Sequence, residues 1–139
     1  MIPLPTGDFA KPNILLAEDN EMNVLVISKL LNRWNIYPEV AQDGQEAVNM
    51  ASAKVYDLIL MDLIMPNLSG PEAVQIIRNQ GGLNAHTPIL ALSASSEAEV
   101  TELVRTAGFT NYVNKPFLPQ DLFDKLSSYL PTKPEAPIA

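Results

Sequence analysis

The chain contains no cysteine. Disulfides, thiolate chemistry and cysteine-ligated zinc are therefore excluded, and a reducing, cytoplasmic setting fits that usage. There is a single histidine, His86, in the loop-like stretch NAHTP. It reads as a surface residue with no role as ligand or phosphodonor. No apolar run approaches the ~18 residues a membrane span needs. The opening MIPLPTGDFAKP lacks the basic-then-apolar layout of a signal peptide. Positive charge is scarce: 9 Lys and Arg against 16 Asp and Glu, a formal net charge of −7. Phosphate backbones attract basic faces, so direct nucleic-acid binding is disfavoured. Neither G-x-G-x-x-G nor G-K-[ST] occurs, so the usual glycine-rich phosphate cradle is missing.

What is present suits one compact domain. The 139 residues are 47% hydrophobic, enough for a sizeable core, and 18% charged, too little for a disordered polyampholyte. Prolines gather at the ends. Residues 1–12 read as a leader or linker, and PTKPEAPIA reads as a flexible tail. An ordered domain over 13–131 and a tail over 132–139 are expected.

Between the ends, short apolar runs alternate with helical periodicity. NILLA (13–17) is a buried strand that runs into Glu18 and Asp19. Val24, Ile27, Leu31 and Trp34 recur at helical spacing. A short strand is predicted at 38–41, and Ala47, Val48 and Ala51 mark a second helix after Asp43-Gly44. The most apolar strand, 56–62, ends at Asp62. Ser69 with Glu72 is a capping box, and Pro71 suits the first turn of a third helix. PILALS (88–93) is a strand, and 97–107 is a helix stopped by Gly108. A strand at 112–114 and a helix at 119–130 complete five strands alternating with five helices. Strands apolar on both faces and separated by helices imply a parallel sheet with right-handed crossovers, an open α/β sandwich. In such sheets ligands bind at the carboxyl ends of the strands.

That rule gathers scattered residues at one edge. Glu18 and Asp19 follow the first strand, Asp62 ends the third, Ser93 ends the fourth, and Lys115-Pro116 follows the fifth. Three crowded acids raise one another's pKa unless a cation intervenes. An all-oxygen site half open to water suits Mg²⁺, with Mn²⁺ as the alternative. A divalent cation, a lysine and a hydroxyl can stabilise a transferring phosphoryl group, with Asp62 as nucleophile and an acyl phosphate as product. Singly, each residue has an ordinary role: a helix cap, a strand-end hydroxyl, a solvated lysine. Their coincidence at one edge points to a site.

Four segments, ILLAEDNEMN (14–23), DLILMDLIMPNLSGPEAV (57–74), PILALSAS (88–95) and YVNKPF (112–117), resemble the receiver domain of two-component response regulators. The resemblance spans nearly all of 13–131. It implies a flavodoxin-like, CheY-like fold with a five-stranded parallel sheet of order 2-1-3-4-5 and helices on both faces. It implies Asp62 as phosphoacceptor and Glu18, Asp19 and Asp62 as metal ligands, joined by the backbone carbonyl of Ile64. Lys115 would contact the phosphoryl group, and Ser93 would be the switch hydroxyl with Tyr112 as its rotating aromatic partner. The Lys115-Pro116 bond is expected to be cis. The Asn20 and Asn23 pair with MDLIMP is most like receivers of hybrid sensor histidine kinases.

The resemblance also implies partners: a histidine kinase or histidine phosphotransfer domain as donor, and an output partner on the face of the fourth helix, fifth strand and fifth helix. The donor's docking site is expected to border Asn23, Val24 and the loop after Lys115. Two departures lie beside the phosphate, Ile64 and Ser95. Ile64 would help little in placing water, so slow self-dephosphorylation is expected. The isolated domain is expected to catalyse only its own phosphorylation and dephosphorylation. An aspartyl-phosphate-type phosphatase is the enzymatic alternative. It needs a second acid two residues after the nucleophile, where this chain has Ile64. A pseudo-receiver that only binds partners is the other, and a flavin or nucleotide module would need the missing cradle.

Overall fold

A computed structural model of the chain describes residues 9–79, 82–94 and 96–131. Ten elements alternate: β1 (Ile14–Ala17), α1 (Glu21–Arg33), β2 (Glu39–Ala41), α2 (Gly44–Ala53), β3 (Leu58–Asp62), α3 (Gly70–Asn79), β4 (Ile89–Ser93), α4 (Glu97–Ala107), β5 (Asn111–Asn114) and α5 (Pro119–Tyr129). All strand pairings are parallel, in the order β2-β1-β3-β4-β5. This is the expected sheet.

The continuous apolar runs have a two-sided cause. Side chains alternate across a strand, and both faces of this sheet are covered. Ile14, Leu16, Leu58, Leu60, Leu90 and Leu92 join Ile27 and Leu31 of α1 and Leu122 and Leu126 of α5 in one core. Leu15, Ala17, Ile59, Met61, Ile89 and Ala91 join Val48 of α2, Val74 of α3 and Val100 of α4 in the other.

The helix starts follow local rules. Asn20 accepts from the Asn23 amide at 3.0 Å, and Asp43 accepts from that of Glu46 at 2.7 Å. Ser69 and Glu72 form the reciprocal capping box at 3.3 Å each way, satisfying two helix-end donors. Gly108 caps α4 at φ 102°, a left-handed conformation that glycine adopts without a Cβ penalty.

One finding lies outside the expected boundary. Phe9 is fully buried, its amide donates to the Trp34 carbonyl at 3.1 Å, and its ring lies 5.5 Å from that of Phe123. Phe123 in turn meets Trp34 edge-on at 5.1 Å. The packed unit thus includes residues ahead of position 13. The prolines around Phe9 report backbone preference, whereas its placement is set by an aromatic pocket built from α1 and α5.

Candidate functional site

The carboxyl edge of the sheet is where these elements bring polar side chains together. β1 delivers Glu18 into the interior, only 1% exposed, with its amide donating to the Ala41 carbonyl at 3.0 Å. β3 delivers Asp62, 7% exposed. Lys115 follows β5 and is tied to β4 by its amide, which donates to the Ser93 carbonyl at 2.8 Å. The Lys115-Pro116 peptide is cis, as expected. The Lys115 ammonium donates to Asp62 Oδ1 at 3.0 Å and to Glu18 Oε2 at 3.4 Å.

Asp19 is exposed beside this pair. One oxygen from each of Glu18, Asp19 and Asp62 can be chosen so that all lie within 4.8 Å of one another. Three carboxylates against one ammonium leave two net negative charges (−3 + 1 = −2). Burial pushes the Glu18 carboxyl above its ordinary range and the Asp62 charge adds to this. Lys115, Asn23 and the Asn20 amide pull it back without overcoming burial. The Lys115 ion pair therefore only partly offsets the burial of an ionised Glu18. A divalent cation fits: the donors are all oxygen, the charge deficit is two, and Asp19 leaves one side open to water. Mg²⁺ there would supply Lewis-acid charge neutralisation to a phosphoryl group.

The remaining predicted residues fall around this cluster. Ser93 is buried at the end of β4, one residue beyond Leu92, which pairs in register with Asp62. Tyr112, on β5, pairs in register with Ala91 of β4 and is half-buried. The Lys125 ammonium sits 5.0 Å above its ring. Ile64 is 83% exposed in the loop after β3. Ser95 lies outside the described residues. His86 is exposed in the loop before β4.

Gly70 explains how closely the loop after β3 folds back. A Cβ there would lie 2.3 Å from the Asp62 carbonyl oxygen, so only glycine lets α3 start this close to the Asp62 backbone. A second feature was hidden in the sequence. Glu18 Oε1 accepts from the Asn20 amide at 3.2 Å and from Asn23 Nδ2 at 3.3 Å. The signal available was the spacing: Asn23 stands in the first turn of α1, immediately after the acid pair.

Comparison with known proteins agrees with this geometry. The family model described as the response regulator receiver domain matches residues 14–127. The chain belongs to that family, and it is a receiver domain of two-component signalling. It is 38% identical over 120 residues to hybrid signal transduction histidine kinase G of Dictyostelium discoideum, covering 85% of this chain and 4% of that protein. The chain thus spans a small part of that curated relative. Among solved structures it is similar to the receiver domain of a sensor histidine kinase from Pseudomonas aeruginosa PAO1. That structure has a magnesium ion coordinated in its active-site cleft (36% identity, TM-score 0.79, 86% of this chain and 98% of that one). It is also similar to the receiver domain of the Saccharomyces cerevisiae response regulator Ssk1, solved with the histidine phosphotransfer protein Ypd1 (32% identity, TM-score 0.78, 87% and 90%). Among the described residues no helix is long and apolar enough to cross a membrane.

Proposed function

We propose that Asp62 accepts a phosphoryl group from a phosphohistidine donor in a Mg²⁺-dependent phosphorelay step. The observation that carries this reading is the Lys115 ammonium 3.0 Å from Asp62 Oδ1, beside a cluster of three acids with room for a cation. A carboxylate oxygen of Asp62 attacks phosphorus, a P–O bond forms, and the P–N bond to the donor imidazole breaks. The departing imidazole nitrogen takes up a proton. Lys115 stabilises charge on the phosphoryl oxygens and fixes the attacking carboxylate. Glu18 and Asp19 hold the cation with Asp62 and the Ile64 carbonyl, and Mn²⁺ substitutes for Mg²⁺ on the same oxygen donors.

The product gains about −1.5 to −2 charges at Asp62. The Ser93 hydroxyl and the Lys115 ammonium move to meet them, and Tyr112 follows. That displacement biases the face of α4, β5 and α5, where an output partner docks. Ile64, apolar and exposed at the mouth, cannot orient attacking water, so the acyl phosphate is long-lived.

The donor is a histidine kinase or histidine phosphotransfer domain, docking beside α1 and the loop after Lys115. Exposed apolar side chains support that surface: Met22, Leu25 and Val26 on α1, with Ile64 and Leu118. The parent is a hybrid sensor histidine kinase or a relative of one, with this domain in the cytoplasm. Self-phosphorylation and its reversal are the only reactions the isolated domain catalyses.

Incubation with Mg²⁺ and a small acyl phosphate, followed by intact mass, tests the reading. One phosphate should add, and Asp62→Asn or EDTA should abolish the addition. Phosphate uptake by Asp62→Asn equal to wild type overturns it. Turnover of small phosphate esters supports the phosphatase instead.

A further inference from the structure

We infer that Asn23 is a positioning residue of the metal site, holding Glu18 so that one carboxylate oxygen is occupied and the other faces the cation. The inference rests on the receiver reading and deepens it.

Glu18 is buried and its two oxygens have different surroundings. Oε1 takes the Asn20 amide at 3.2 Å and the Asn23 carboxamide at 3.3 Å. Oε2 is turned to Lys115 at 3.4 Å, on the side of Asp62. A buried carboxylate needs its lone pairs met, and these two donors meet those of Oε1 without adding charge. The donor is itself fixed. The backbone amide of Asn23 is bound by the Asn20 side chain at 3.0 Å, which caps α1. The two asparagines therefore act in series. Asn20 starts the helix, and the helix start aims the Asn23 amide at Glu18.

Chemistry selects asparagine here. A carboxylate at position 23 would place a like charge against Glu18. A lysine would neutralise Glu18 and compete with the cation. A neutral amide donor restrains the ligand and leaves its charge available. Ligand-orienting hydrogen bonds of this kind typically contribute about ten- to a hundredfold to metal affinity.

The test is Mg²⁺ titration of the whole chain by calorimetry, with a thermal melt in EDTA alongside. Asn23→Leu matches the side chain in shape, lacks the donor and keeps the backbone amide that Asn20 binds. It should weaken Mg²⁺ binding about tenfold. Asn23→Gln, which retains an amide, should recover most of that loss. A dissociation constant for Asn23→Leu within twofold of wild type overturns the inference, as does a change confined to the melting midpoint. Wild-type protein that takes up no Mg²⁺ overturns the proposed Mg²⁺-dependent phosphorelay function as well, so the two failures are distinguishable.

Discussion

The two edges of the sheet bury polar groups in opposite ways. At the carboxyl edge Glu18, Asp62 and Lys115 face one another as unequal charges. At the amino edge Arg78 is stitched almost wholly to backbone. Its guanidinium donates to the carbonyls of Gly108 at 3.0 Å, Asn84 at 3.3 Å, Ala85 at 3.2 Å and Thr87 at 2.6 Å, and to the Thr110 hydroxyl at 3.3 Å. Asn84 is buried beside it. It donates to the carbonyls of Ala51 at 2.6 Å and Lys54 at 2.7 Å, and accepts from the Tyr56 amide at 2.9 Å. Burial shifts both charged groups toward neutrality, Glu18 upward and Arg78 downward. At the amino edge the protein's own dipoles answer the polar groups. At the carboxyl edge the hydrogen bonds are made but negative charge is left over, and that excess is what the proposed cation would answer. A network whose charge is answered by fixed dipoles stabilises the fold, whereas one left with excess charge gives up stability for a ligand.

If that contrast is right, truncation at the amino edge should cost most. Arg78→Ala strands four part-buried carbonyls, and urea unfolding should show a loss of about 3 kcal/mol. A near-neutral result would mean that water replaces the guanidinium and that the two edges do not differ in kind. Glycine gives the next largest effect. Gly70→Ala forces a Cβ against the Asp62 carbonyl, and should cost about 2 kcal/mol while slowing phosphate uptake. Gly82→Ala, with nothing within 4 Å of the added carbon, should leave both unchanged.

The smallest effect has the opposite sign. Because the folded pKa of Glu18 is raised, stability is full below the ordinary carboxylate pKa. It is lost as pH rises through the raised value. Glu18→Gln escapes that loss. In EDTA near neutral pH its melting midpoint should exceed that of wild type by a few degrees, the gap closing as pH falls to the ordinary carboxylate range. Added Mg²⁺ should reverse the order, since only wild type binds it. A variant less stable than wild type in EDTA at neutral pH would show that Lys115 already satisfies the site.

The expected elements were legible for a local reason. Caps, periodicity and apolar runs act within a few residues, and Asn20, Asp43, Ser69 and Gly108 all do what their types dictate. Asp62 stood out because an acid ended an apolar run. Arg78 and Asn84 did not stand out, although they organise the opposite edge. Their partners are backbone atoms, which carry no residue-type signal. Phe9 was obscured by neighbouring prolines, and Asn23 was visible as a motif letter and a docking-border residue but not as a partner of Glu18.

By itself the sequence determined the order of elements, the two-sided burial of the strands, and which residue types reach the carboxyl edge. Short-range sterics and side-chain alternation suffice for that. Only the tertiary structure decided that Lys115 meets Glu18 and Asp62, partners 97 and 53 residues away along the chain. It alone decided that one oxygen of Glu18 is tethered, and that excess negative charge remains at one edge while backbone dipoles answer the cation at the other. Those outcomes depend on ångström-scale distances between segments joined only through the packed sheet, and no local pattern encodes such distances.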